Sequence, residues 1–185
     1  MTLTDLSPEL RSRLRAVRLI SLDVDGVLTD GRIVYTETTR RLGSEDENEV
    51  ERVHSTTMSF HVHDGQGIKD TLNAGLEVAI VTGRQSSTVK RRADELGIKY
   101  VFQRVENKPQ TVRELIDNLN LQLHEVAHVG DDLNDLPLFK EVGVSVAVPN
   151  AVSKVRDVAD IVLNTPGGQG AVREFCDLLL DARGY

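Results

Sequence analysis

From residue 64 onward the sequence alternates between short apolar runs and stretches with apolar residues at helical spacing. The apolar runs are typical of buried strands and include LEVAIVTG, IKYVFQ, EVAHVGDD and VSVAVPN. The helical stretches include DGQGIKDTLNAG, SSTVKRRADELG and NKPQTVRELIDNLNL. Because strands that alternate with helices are joined by right-handed crossovers, this order predicts an α/β fold with a doubly wound parallel sheet.

The chain before this region predicts one more buried strand and a hairpin. VRLISLDV is a continuous apolar run followed by turn residues, as expected of a strand covered on both faces. GRIVYTET and TTMSFHVH predict two β segments, and RRLGSEDENEVERVHS between them is acidic and polar. We interpret these segments as a hairpin that protrudes from the domain at about residues 32–63, with a solvated tip. The 185 residues suit a single domain, 1–185, that carries this hairpin as an insertion.

Composition narrows the classes of function. The net charge of -7 argues against nucleic-acid binding, which needs a basic face. The single cysteine, Cys176, allows no intramolecular disulfide and is expected to be a packed thiol. No apolar run approaches the ~18 residues of a membrane span. The N-terminal stretch lacks the apolar core of a signal peptide, so we expect a cytoplasmic protein with no membrane partner.

Polar residues cluster where the predicted strands end. In open parallel sheets the ligand lies beyond the carboxyl ends of the strands. The residues expected along this edge are Asp23, Asp25, Thr82, Arg84, Lys108, Asp131, Asp132 and Asp135. Carboxylates gathered this closely repel one another unless a cation holds them, and a set of oxygen ligands favours Mg²⁺. The predicted ligands are the side chains of Asp23 and Asp131 and the backbone carbonyl of Asp25.

The same edge of the sheet suits phosphoryl transfer. Lys108 and Thr82 can bind an anion beside the metal, because negative charge grows on the equatorial oxygens of a transferring phosphoryl group. Asp23 can act as the nucleophile that forms an acyl phosphate. Asp25 can protonate the leaving alkoxide and later act as base for water.

Two further acids are expected to lie behind the ligands. Asp132 and Asp135 follow the same strand as Asp131. For Asp135 the sequence leaves three roles open, namely orienting Lys108, holding a water molecule or capping the short helix that follows.

These motifs resemble those of a known superfamily. LDVDGVLTDG, VTGR, NK and GDDLND occur in the order, and on the predicted elements, of the four motifs of the haloacid dehalogenase (HAD) superfamily of aspartyl-nucleophile phosphatases. From about Leu19 to Leu180 the chain resembles one branch more closely. The segments HDGQGIK, LGIKYVFQ, VGDDLNDLPLFKEVGVSVAV and GGQGAVREFCDLLL are similar to those of 3-deoxy-D-manno-octulosonate 8-phosphate (KDO 8-phosphate) phosphatases.

The resemblance implies a HAD-like fold that lacks a large cap domain. It also implies a homotetramer in which the hairpins form a small barrel and a neighbouring subunit closes each active site, with GGQGAVRE meeting a neighbour's site. The implied Mg²⁺ ligands are Asp23, the Asp25 carbonyl and Asp131. The implied substrate contacts are Asp25, His61, Val62, His63, Asp64, Gly65, Lys69, Arg84, Arg92 and Lys108. The expected substrate is a sugar-acid phosphate, KDO 8-phosphate, whose carboxylate suits a bidentate contact with Arg84 or Arg92.

Departures from the family pattern keep other functions open. The hairpin is extended by the acidic GSEDENEVERVHS, and His61 and His63 replace the usual Asn and Arg. These changes leave a second substrate open, the phosphate of a nine-carbon keto acid (KDN or sialic acid 9-phosphate), although Arg84 favours the eight-carbon substrate. The alternative from another class is a non-enzymatic, receiver-like domain that accepts a phosphate. The third predicted strand, IKYVFQ, ends without the acceptor aspartate that such a domain places there.

The histidines predict no metal site. His61 and His63 are expected to alternate on a strand and to share a face. Two histidines without a third ligand more often lie at a surface or an interface. His124 and His128 flank a buried strand and are assigned no chemistry.

Overall fold

The structure is a computed structural model that describes residues 2–41 and 50–185. Its strands, numbered along the chain, are β1 (Leu19–Leu22), β2 (Val34–Arg41), β3 (Val50–Thr57), β4 (Glu77–Val81), β5 (Tyr100–Phe102), β6 (Val126–Gly130), β7 (Val144–Ala147) and β8 (Ile161–Val162). Its α-helices are α1 (Pro8–Ala16), α2 (Val62–Asn73), α3 (Ser87–Leu96), α4 (Lys108–Leu119), α5 (Leu136–Phe139), α6 (Ser153–Arg156) and α7 (Ala171–Arg183). Short 3₁₀ turns lie at Leu3–Asp5, Leu123–Glu125 and Leu133–Asp135.

Six of the strands form one parallel sheet in the order β5-β4-β1-β6-β7-β8. From β1 the chain moves outward through β4 and β5, and then returns to build β6, β7 and β8 on the other side of β1. The predicted doubly wound parallel sheet is therefore confirmed. The direction of winding reverses around β1, and ligands of such folds bind in the crevice at this reversal.

Alternate residues of β1 enter two different hydrophobic layers. Ile20 packs in the layer that includes Ile68 of α2 and Phe175 of α7. Leu19 packs in the opposite layer, which includes Leu115 of α4 and Leu138 of α5. Because both faces of the strand are covered, its sequence is continuously apolar rather than alternating.

Local sequence signals define the helices that flank the site. The side chain of Ser86 accepts a hydrogen bond from Thr88 N at 3.2 Å at the start of α3, and Gly97 ends that helix with φ +80°. Asn107 caps α4 by accepting from Gln110 N at 3.1 Å. These contacts satisfy backbone groups that a helix end leaves unpaired, and the second cap brings Lys108 to the first position of α4.

The hairpin strands β2 and β3 form a separate antiparallel sheet, paired from Val34 opposite Thr57 to Arg41 opposite Val50. The predicted solvated tip includes residues 42–49, which lie outside the described part of the chain. Two predictions for this region are wrong. Residues 50–55, predicted as part of the polar stretch between the two segments, form most of β3. The second β segment ends at Thr57, and His61 and His63 lie at the start of α2 rather than on a strand. The alternation of Phe60, His61, Val62 and His63 mimics a strand, but Val62 is 77% exposed and faces no core.

Two predictions from composition can be compared with the structure. Cys176 is buried in α7, and burial raises the pKa of its thiol to about 12, as expected of a packed side chain. Within the described ranges, no helix combines the length and the apolar character that crossing a membrane requires.

Candidate active site

A cleft of about 440 Å³ opens at the carboxyl ends of β1, β4 and β6. Its lining residues are Asp23, Asp25, Gly26, Gly31, Thr82, Gly83, Arg84, Asp131, Asp132 and Asn134. Six of the eight residues expected at this edge of the sheet therefore line one cleft. The other two, Lys108 and Asp135, are buried directly behind Asp23.

Asp23 and Lys108 form a buried ion pair at the back of the cleft. Lys108 Nζ lies 3.2 Å from Asp23 Oδ1, and the two residues are 2% and 5% exposed. Burial raises the pKa of Asp23, and the nearby charge of Asp135 acts in the same direction, whereas the Lys108 ammonium opposes both. A lysine that precedes a proline can be an ordinary surface residue, but Lys108 is not exposed to solvent. It is a buried cation held by carboxylates.

Asp131 faces Asp23 across the site. Oxygen atoms of Asp23, Asp131 and Asp135 all lie within 4.8 Å of one another. Burial and the charges of Asp23, Asp135 and Asp132 together raise the pKa of Asp131 to about 7, although the Lys108 ammonium opposes them. Acids whose ionised forms repel in this way are stabilised by a shared cation, and carboxylate oxygens suit a hard divalent ion. The donor set therefore fits the predicted magnesium site.

Asp135 is saturated with hydrogen bonds. Its Oδ1 accepts from Lys108 Nζ at 2.5 Å and lies 2.9 Å from His128 Nε2. Its Oδ2 accepts from the backbone N–H groups of Asp131 and Asp132 at 2.9 and 3.2 Å. Although burial raises the pKa of Asp135, the bonds and charges of His128 and Lys108 outweigh that effect and lower it. Of the three roles left open for Asp135, these contacts fit the orientation of Lys108.

Asp25 forms an ion pair with Arg84 at the mouth of the cleft. Arg84 Nε lies 2.7 Å from Asp25 Oδ2, and both side chains are about one-third exposed, at 36% and 32%. Thr82 lies behind them, 2% exposed, and its Oγ1 accepts from Arg84 N at 3.3 Å. The pair fixes the Asp25 carboxylate at a position that lines the cleft.

Gly26 allows the loop after β1 to approach Asp131, which follows β6, closely. Its φ is +83°, and a Cβ at this position would overlap the carboxylate of Asp131. Any side chain here would be strained in the left-handed region and would also push Asp131 away. The separation of Asp131 from the loop after β1 therefore depends on a residue without a side chain.

The sequence reasoning missed Asn150, which follows β7. Its Nδ2 donates to Gly26 O at 3.0 Å, and its Oδ1 accepts from Gly167 N at 2.7 Å. In the same loop, Val152 N donates to Asp131 O at 2.9 Å. The loop therefore supports both sides of the site. Its position at the carboxyl end of a parallel strand, which is the criterion used for the other site residues, is the signal that could have identified it.

Most of the implied sugar contacts lie outside the cleft. His61 precedes α2 as its cap residue, Val62, His63, Asp64 and Gly65 form its first turn, and Lys69 lies further along it, whereas Arg92 belongs to α3. None of these seven residues lines the 440 Å³ cleft. Arg92 lies against α2, because a Cβ on Gly65 would overlap its guanidinium. Lys69 is exposed.

Asp64 and His61 have contacts of their own. Asp64 is 2% exposed, and its Oδ1 accepts from Arg173 N at 2.8 Å, which ties α2 to the first turn of α7. Burial raises the pKa of Asp64. His61 and His63 meet edge to face with ring centroids 5.0 Å apart. The structure therefore brings together the residues predicted for phosphoryl transfer, whereas of the residues predicted to contact the sugar only Asp25 and Arg84 line the same cleft.

Comparison with known proteins agrees with this arrangement. The model of the haloacid dehalogenase-like hydrolase family matches residues 101–175. The 3-deoxy-D-manno-octulosonate 8-phosphate phosphatases of Salmonella typhimurium and Escherichia coli K12 are 41% and 40% identical over 179 residues, which cover 97% of this chain and 87% of each relative.

Solved structures show the same fold. The phosphatase from Moraxella catarrhalis, in complex with magnesium ion, phosphate ion and KDO, has a TM-score of 0.83 and 36% identity over 95% of this chain and 92% of that one. A probable YrbI family phosphatase from Pseudomonas syringae has a TM-score of 0.85 and 42% identity over 96% and 93% of the two chains.

The fold and the acidic cleft define a hydrolase of the haloacid dehalogenase type. Within that class, the chain belongs to the family of 3-deoxy-D-manno-octulosonate 8-phosphate phosphatases. It is accordingly a phosphoric monoester hydrolase, and the reading as a non-enzymatic receiver-like domain is set aside.

Proposed function

We propose that this enzyme hydrolyses KDO 8-phosphate to KDO and phosphate through an aspartyl-phosphate on Asp23, with Mg²⁺ as cofactor. The observation that supports this most strongly is the buried Asp23–Lys108 pair beside Asp131, at the closed end of a cleft whose mouth holds Asp25. A nucleophile, a phosphate-binding cation and a general acid are thereby within reach of one bound phosphoryl group.

The residues proposed to hold Mg²⁺ are the carboxylates of Asp23 and Asp131 and the backbone carbonyl of Asp25. Asp135 is left out because its two oxygens already accept four hydrogen bonds. When bound, Mg²⁺ neutralises charge on the phosphoryl oxygens and on the two acids. The named relative from Moraxella catarrhalis, whose structure contains magnesium and phosphate ions, supports this choice of metal.

Asp23 and Asp25 divide the two chemical steps between them. In the first step, a carboxylate oxygen of Asp23 forms a bond to phosphorus while the bond from phosphorus to the sugar oxygen breaks. Asp25 gives its proton to that oxygen, so the sugar leaves as an alcohol. In the second step, water gives a proton to Asp25 and attacks phosphorus, which releases phosphate and restores the Asp23 carboxylate. Lys108 and Thr82 bind the phosphoryl oxygens throughout.

The substrate and the metal can be tested together. We expect phosphate release from KDO 8-phosphate with a kcat/KM at least roughly tenfold above that for nine-carbon keto-acid phosphates, since a pocket discriminates by about this factor for small changes in size. Hexose phosphates, which lack the carboxylate, should be weaker still. The measurement is a phosphate-release assay across this panel with Mg²⁺ added or chelated. Preference for a hexose phosphate would overturn the sugar-acid assignment, and activity that survives chelation would overturn the metal assignment.

The chain is also proposed to assemble as a homotetramer in which a neighbour closes each active site. Two observations support a second copy as the partner. Seven of the implied sugar contacts lie outside the cleft. Exposed apolar residues, Ile33, Val34 and the 80% exposed Tyr35, lie at and just before the start of the first hairpin strand. Apolar residues grouped in this way are typical of an interface.

Light scattering should therefore give about four times the 20.5 kDa mass of one chain, as expected of closed symmetry. Tyr35→Glu should lower that mass and reduce activity together. Val158→Glu is a suitable control, because Val158 is also exposed, at 59%, but belongs to the segment between α6 and β8 rather than to the hairpin. A fully active monomer would contradict the proposal.

A further inference from the structure

A column of buried polar groups runs from the middle of the sheet to the nucleophile. Ser21 of β1 lies opposite His128 of β6 in the sheet register. His128 Nδ1 lies 3.1 Å from Ser21 Oγ, and His128 Nε2 lies 2.9 Å from Asp135 Oδ1. The column continues through Lys108, at 2.5 Å from Asp135 and 3.2 Å from Asp23. Each of these five residues is 5% exposed or less.

The surroundings of this column are apolar. Leu19 and Val126, two residues before Ser21 and His128 on their strands, pack in the hydrophobic layer under α4. The ring of Phe139 meets the His128 ring edge to face with centroids 5.7 Å apart. Polar groups buried in such a layer are costly unless each is hydrogen-bonded. The column therefore has a defined set of donors and acceptors.

The hydrogen on Nε2 of His128 can be assigned from its partner. Asp135 Oδ1 is an acceptor, so the contact at 2.9 Å requires a hydrogen on Nε2 of His128. Nδ1 lies 3.1 Å from both the hydroxyl oxygen and the backbone carbonyl oxygen of Ser21. In this arrangement Asp135 receives two donors on each oxygen.

We propose that His128 is a positioning residue for the phosphatase reaction, which holds Asp135 so that Lys108 stays against Asp23. The inference rests on the proposed aspartyl-phosphate mechanism. Lys108 has a flexible four-carbon stem, so its ammonium is fixed only by its partners. With two donors on each oxygen, the Asp135 carboxylate keeps one orientation. Without the Nε2 hydrogen, Asp135 can turn towards the oxygens of Asp23 and Asp131, which lie within 4.8 Å, and Lys108 loses its fixed partner.

Two substitutions at one position separate this role from simple packing. A glutamine amide nitrogen reaches the place of the histidine Nε2, whereas an asparagine amide reaches only the place of Nδ1. We expect His128→Gln to keep kcat within about threefold of the wild type. His128→Asn should lower kcat by about 10- to 100-fold, the usual cost of losing a group that orients a ligand or a catalytic residue.

Ser145→Ala provides the matched control. Ser145 lies opposite His128 on the next strand, β7, and its buried hydroxyl donates to Asp160 at 2.8 Å and accepts from Asp160 N at 3.0 Å. This variant should lower the melting temperature and leave kcat unchanged. Equal kcat values for the asparagine, glutamine and wild-type proteins would overturn the proposal. A wild-type enzyme that releases no phosphate from KDO 8-phosphate would instead overturn the proposed function.

A measurement on the unaltered protein tests the same inference if the asparagine variant does not fold. Nitrogen–proton correlation spectra of the imidazole rings distinguish a hydrogen on Nε2 from one on Nδ1. We expect His128 to carry its hydrogen on Nε2 and that hydrogen to exchange slowly with water. A hydrogen on Nδ1 alone would overturn the proposal, because Nε2 would then have nothing to donate to Asp135.

Discussion

Asp23→Asn should reduce phosphate release from KDO 8-phosphate by about 10⁴-fold or more, the scale on which loss of a nucleophile acts. Asparagine has nearly the same shape as aspartate, but its amide cannot form the acyl phosphate. The fold should persist, because Lys108 keeps its 2.5 Å contact with Asp135 when the Asp23 charge is removed. The measurement is phosphate release at saturating Mg²⁺, together with the melting temperature.

Asp94→Asn is the control for this prediction. Asp94 is an exposed aspartate on α3 that pairs with Lys90 on the same helix and lies outside the cleft. This variant should keep wild-type activity and nearly the wild-type melting temperature, since exposed pairs contribute at most about 1 kcal/mol. Full activity in the Asp23 variant would eliminate the aspartyl-phosphate route.

Asp25→Asn should slow turnover by a factor on the order of 10² to 10⁴, the usual contribution of general acid–base catalysis. The loss should be larger for an alkyl phosphate such as KDO 8-phosphate than for an aryl phosphate, because a stable aryloxide leaves without a proton. Steady-state kinetics with both substrates measure this difference.

The Asp25 variant also breaks the ion pair with Arg84, so a second variant is needed. Arg84→Met removes the pair, at 2.7 Å, and keeps the acid. We expect it to lose less kcat than Asp25→Asn, and to lose no more with the alkyl than with the aryl substrate. An Asp25 variant that matches the wild type on KDO 8-phosphate would remove Asp25 from its proposed role.

The sequence was sufficient for the residues that follow strands directly. Asp23, Thr82 and Asp131 are each placed by one short segment, because parallel strands end at the same edge of the sheet. Lys108 was placed by the proline in the first turn of α4, and the structure adds the Asn107 cap before it. In each case the local pattern and the sheet topology were enough to predict the meeting point.

The residues that were missed or misplaced depend on distant partners. His128 sits in an apolar strand, and its partner Ser21 is 107 residues away in sequence, so nothing local distinguishes it from a packed histidine. Asn150 acts through backbone groups of Gly26 and Gly167, which carry no side-chain signal. His61 was misplaced because four residues of alternating polarity suit a strand and a helix start equally well, and only the absence of a core beside Val62 separates the two.

The contact between Gly26 and Asp131 constrains how this site can change over time. Position 26 must satisfy two separate demands, a left-handed backbone and an empty volume beside Asp131. Asparagine tolerates the backbone but fills the volume. The atoms that bound this volume belong to the Asp131 carboxylate, so enlarging it means displacing a residue of the site itself. No single compensating substitution therefore restores the site once this glycine is lost, so a mutational library of the enzyme should retain glycine at position 26 in every active member.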